Sequence, residues 1–131
     1  MTTMTRATVL ATVAGLSVLL GGCGQADDDT PREASPVIAM LKAAKASDLD
    51  GFRSAYCRRI REDPEQGDWE KNLTQAQASL KRMYGEYQIK EFAFTFTGDE
   101  KKGKVAVSHQ GKESIVLDVI NEDGHWKINQ R

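Results

Sequence analysis

The sequence predicts an α+β domain in which three amino-terminal helices pack on a curved four-stranded antiparallel sheet. Three observations lead there. Apolar residues recur at three- and four-residue spacings as far as Gly85, the spacing changes to two from Tyr87 onward, and Gly, Pro and Asp punctuate the segments. A chain of 131 residues, 40% hydrophobic and 28% charged, has the material for one core and not for two. The domain is expected over residues 36–131, behind a leader over 1–22 and a flexible tether over 23–35.

The first helix is expected to start at Ser35-Pro36, an N-cap followed by proline at the first helical position. Val37, Ile38, Met40, Leu41 and Ala44 make its apolar face. The second helix is expected across "SDLDGFRSAYCRRI", where Leu49, Phe52, Tyr56 and Ile60 share a face. Pro64 and Gly67 break the chain. Trp69, Leu73, Ala76, Leu80 and Met83 then form the stripe of a third helix that ends near Gly85.

In the sheet, Tyr87 and Ile89 hold one parity and Phe92, Phe94 and Phe96 the other, so a β-bulge is expected near Lys90-Glu91. Val105 and Val107 mark the second strand. "ESIVLDVI" is apolar on both faces for most of its length and is expected to be the central third strand. Asp123-Gly124 supplies a tight hairpin into a fourth strand carrying Trp126 and Ile128.

"LKAAKASDLDGFRSAY" resembles the opening helical hairpin of the nuclear-transport-factor-2-like (cystatin-like) superfamily, and "DGHWKI" is similar to the last strand of its small members, secreted lipoproteins among them. The resemblance spans residues 36–128. It implies a roll whose bent sheet wraps a helix around an apolar pocket, and members that pair through the exposed sheet face.

The amino terminus carries an address. Residues 1–8 are polar with one positive charge at Arg6, and 9–20 are mostly apolar. That is the n-region and h-region of a secretory signal, and it falls short of the roughly 20 apolar residues of a membrane span. Leu20, Gly21, Gly22 and Cys23 resemble the lipobox of bacterial lipoproteins. The resemblance implies cleavage between Gly22 and Cys23, a diacylglycerol thioether on the Cys23 sulfur, and an acyl chain such as palmitate on the new amino group. The thioether requires a thiol, and the small glycines fit a narrow peptidase cleft. Two or more chains anchor stably at about 0.8 kcal/mol per buried methylene. The expected location is the cell envelope, and Gly24 after the cysteine points to the outer membrane if the source is Gram-negative. "GQADDDTPREAS" then reads as a tether whose twelve residues reach roughly 40 Å when extended.

With 18 basic residues against 19 acidic ones, no excess charge favours nucleic acid. No metal-ligand spacing and no cofactor motif stand out, so neither group is expected. Three residues are candidate catalytic groups if the domain is a pocket enzyme of isomerase or hydrolase type: Asp118, which interrupts an apolar strand, His109, and Tyr84. His109 precedes the "QGK" turn and reads more readily as an exposed strand-end histidine. Cys57 is expected to be buried as a small hydrophobe, although Arg58, Arg59 and Arg61 would activate an exposed thiol. The leading expectation is a non-enzymatic envelope lipoprotein that binds a small apolar ligand or an envelope protein. A dimerisation module using Phe92, Phe94 and Phe96 as an exposed surface stands beside it.

Overall fold

The helical part of the chain begins before its proline. The computed structural model describes residues 30–130, and those from Pro31 onward belong to one compact unit. A 3-10 turn, Arg32–Ala34, runs directly into helix α1, Ser35–Ala46. Ser35 therefore has helical backbone (φ −54°, ψ −40°) and is not the extended cap residue expected; Pro31 is extended instead (φ −65°, ψ 142°). Ala34 is small enough for complete burial, and the turn packs against the first and last strands of the sheet. Val37, Met40, Leu41 and Ala44 are buried along α1. The helix stops at Ser47, which is left-handed at φ 56°. Asp48 then caps α2, Leu49–Ser54, by accepting the Gly51 N–H at 3.0 Å.

The single second helix expected over residues 47–60 is broken at its centre. The Ile128 N–H donates to the Ala55 carbonyl at 2.8 Å, and the Cys57 N–H donates to the Ile128 carbonyl at 2.9 Å, so Tyr56 and Ile128 form a parallel bridge. Backbone groups spent on that bridge cannot also serve an α-helix. One turn, α3 (Arg58–Arg61), follows, and Asp68 caps α4, Trp69–Tyr84. Leu73 and Leu80 are buried, and α4 packs on α1 and α2. Met83, expected on the packed stripe, is 47% exposed because the last turn of α4 presents it away from those helices. Phe52, Tyr56 and Trp69 join α2 to α4, with ring centroids 5.3–6.0 Å apart.

The sheet comprises β1 (Phe92–Gly98), β2 (Lys102–His109), β3 (Lys112–Glu122) and β4 (His125–Ile128), antiparallel in the order β1-β2-β3-β4. The α+β class and the four-stranded meander are as expected. The bulge is not where parity placed it. A 3-10 turn, Ile89–Glu91, absorbs the parity change, and the register slips instead between Val107 and Ser108, leaving Ser114 unpaired. In register, Phe94, Val107 and Ile115 form one row across the inner face, and Phe96, Val105 and Leu117 the next.

Inner and outer faces differ in kind. Val105 and Val107 are fully buried, Phe92 is buried, and Phe94 and Phe96 pack against the core. The aromatic row thus faces inward and does not supply the exposed surface suggested for dimerisation. β3 is internal to the sheet but not apolar on two buried faces, since Val116 on the outer face is 43% exposed. Phe96 reaches across to Trp126, with ring centroids 5.3 Å apart. Its path lies over Gly103, where a Cβ would stand 2.5 Å from the ring and 2.4 Å from the Thr97 carbonyl oxygen. The Asp123-Gly124 turn is as expected, with both residues left-handed at φ 55° and φ 90°.

A candidate ligand cleft and the predicted site residues

The three residues suggested for catalysis do not converge. His109 and Tyr84 meet where α4 ends against β1 and β2, their rings 4.7 Å apart. Phe92 closes the group at 4.8 Å from His109 and 5.0 Å from Tyr84. His109 Nε2 lies 3.0 Å from Glu91 Oε1, and the histidine side chain is 14% exposed. The expected solvent-facing strand end is therefore corrected: odd parity in β2 turns His109 to the aromatic inner face. Its hydrogen bond, with a second one from the Gln88 N–H, holds the Glu91 carboxyl below its ordinary pKa. Tyr84 Oη and Ser114 Oγ are 2.6 Å apart, and Ser114 Oγ donates to the Val107 carbonyl, so the unpaired residue of the register slip is tied down on both sides. Burial raises the pKa of neighbouring Tyr87, whose hydroxyl donates to the Leu41 carbonyl at 2.7 Å.

Asp118 lies on the other face of the sheet. Its carboxylate pairs with Lys104 Nζ at 2.5 Å and is 44% exposed. It borders an open depression of about 570 Å³ under the β1–β2 turn. Asp118 and His109, on opposite faces, do not form one acid–base pair.

A larger cleft, about 730 Å³, opens between the start of α1, the helix α2 and the β3–β4 hairpin. Arg32, Ser35 and Ala39 line it from the first segment, Gly51 and Ser54 from the second, and His125, Trp126 and Lys127 from the third. Gly51 leaves its wall bare for a local reason, since a Cβ there would sit 2.5 Å from the capping Asp48 carboxylate. Lys127 Nζ donates to the Ser54 carbonyl at 2.7 Å, which fixes the ammonium at the wall. Arg32 and His125 are exposed and form no ion pair among the described residues. Arg32 falls in the expected tether, and neither His125 nor Lys127 stands out in the sequence. The bridge between Tyr56 and Ile128 and the Lys127–Ser54 bond bring these segments together, and no local pattern encodes either.

Cys57 is a free thiol, 2% exposed, with Sγ 3.3 Å from Asn129 Oδ1. That agrees with the expected buried hydrophobe. Arg59 donates to the same Asn129 oxygen at 2.8 Å, and Arg61 faces Glu122 at 3.7 Å. Among the described residues no cluster of His, Cys, Asp and Glu could hold a metal ion, and no helix is long and apolar enough to cross a membrane. The lipobox cysteine Cys23, the cleavage site after Gly22 and the acidic run at residues 27–29 lie outside the described residues. No family model matches the chain, and no curated protein matches it.

Proposed function

We propose that this chain is a non-enzymatic lipoprotein of the bacterial cell envelope, anchored through lipid on Cys23, and that its folded unit binds a ligand in the cleft between α1, α2 and the β3–β4 hairpin. The observation that carries the binding half is the cleft itself. Three elements contribute walls, and apolar surface from Pro36, Ala39 and Trp126 sits beside fixed polar groups, the mixture typical of small-molecule sites. The anchoring half rests on the order of polar start, apolar run, paired glycines and cysteine at residues 1–23. The nuclear-transport-factor-2-like roll is the fold family proposed for the unit, supported by helices α1 to α4 ahead of a four-stranded antiparallel meander. Placement in the outer membrane belongs to the same proposal for a Gram-negative source.

Metabolic labelling with a palmitate analogue tests the anchor. The wild-type chain is expected to take the label and Cys23→Ser to lose it, and labelling that persists in the variant sinks the proposal. Native mass spectrometry of the chain released from its membrane tests the cleft. A bound species is expected that is lost when Ala39→Trp fills the space, and retention in that variant places binding elsewhere.

A further inference from the structure

The cleft is lined by cations and by no carboxylate. That is uneven for a chain with more acidic than basic residues and a formal net charge of −1. Arg32, His125 and Lys127 come from two separate parts of the sequence, and their nitrogens differ in what they can do. Lys127 is held in place by the Ser54 carbonyl. Arg32 has no ion-pair partner among the described residues and is free to present its planar fork. His125 is exposed on the first residue of β4.

We propose that this cleft binds a phosphate group, on a free phosphate monoester or on a lipid headgroup, with Arg32 as bidentate donor, Lys127 as a fixed point charge and His125 as a third donor. The proposal rests on the reading of the cleft as a ligand site and names that ligand's chemistry. A phosphate offers three acceptor oxygens, matching three separate donors better than one carboxylate does, and charge-assisted bonds of this kind are the stronger class. Pro36, Ala39 and Trp126 would receive the uncharged part of the ligand. One cleft with two fixed-charge side chains on a nearly neutral chain does not track a polymer backbone, which sets this site apart from nucleic-acid binding. Arg32 is also nine residues beyond Cys23, at most about 30 Å of extended chain, so for an anchored protein the headgroup layer is within reach.

The test uses the full chain in an uncharged detergent, with Trp69→Phe so that Trp126 alone reports by its emission. Glycerol phosphate, dihexanoyl-phosphatidic acid and an uncharged monoacylglycerol are titrated in turn. A saturable response to either phosphate is expected, weakened by added salt and reduced about tenfold or more by the pair Arg32→Gln and His125→Gln. Both residues are exposed, and unchanged circular dichroism checks that the pair leaves the fold intact. A preference for the short-chain lipid identifies a headgroup as the source; equal affinity identifies the free phosphate. A phosphate response that the double variant leaves unchanged overturns the proposal. A response to the monoacylglycerol alone overturns the phosphate assignment and keeps the binding site; no response to any of the three overturns both.

Discussion

Tyr56 keeps the helical spacing of its segment although the helix ends before it, and its ring packs on Phe52 and Trp69. Burial pushes its pKa up to about 12, because the phenolate would lose water that the phenol does not need. The folded-state pKa lies above the ordinary 10.0, so the neutral ring's contribution is complete below pH 10 and is lost as pH rises toward 12. A shift of that size corresponds to about 2–3 kcal/mol. Urea denaturation should therefore show wild-type stability falling steeply between pH 10 and 12 and Tyr56→Phe falling less, with Tyr87 supplying part of the residual slope. Parallel slopes would contradict the assignment. Residue identity was legible where a side chain follows its parity, as with buried Val105 and Val107. It was misread for His109, because a neighbouring turn suggests exposure while the Tyr84 and Phe92 rings that cover the imidazole come from other segments.

At the scale of elements, the strands followed their alternation, and two helices start at local caps, Asp48 and Asp68 binding their own first turns, whereas the cap expected at Ser35 is itself helical. Two failures differ in cause. The second helix breaks at Ala55 because Ile128 claims its carbonyl, an event set from far along the chain. The change of parity at Lys90-Glu91 is taken up by a local 3-10 turn, Ile89–Glu91, where a bulge was expected. The β1–β2 pair gives the sharpest element-scale prediction. Gly103→Ala puts a methyl against the Thr97 carbonyl, which cannot rotate away as a side chain would, and against the Phe96 ring. A loss of about 1–3 kcal/mol is expected from urea denaturation. A neutral effect would mean that the strands separate more easily than their packing implies.

Across the described residues, β4 makes the backbone bridge between helices and sheet, beside the packing of Tyr84 on Phe92 and His109. Ile128 pairs with Val119 in the sheet, exchanges backbone bonds with Ala55 and Cys57, and is 1% exposed. Ile128→Ala should cost about 2–5 kcal/mol, the range for emptying a packed aliphatic site. Trp69 and Trp126 report on the helical and sheet halves separately, and their urea transitions should coincide in the wild-type chain. Separate transitions would show that the halves are independent. The same connection explains why the cleft was invisible in the sequence: its rims are far apart along the chain and become neighbours only after β4 is in place.

For the envelope lipoprotein proposed above, the bridge at Tyr56 has a further meaning. Cys57 and its partner Asn129 are 72 residues apart, so the keystone of the fold arrives late and from the trailing part of the chain. Until then the leading helices have nothing to lock against, and non-local closure of this kind is slow. On the proposed export route, the fold is expected to close only once residue 128 has left the translocation channel.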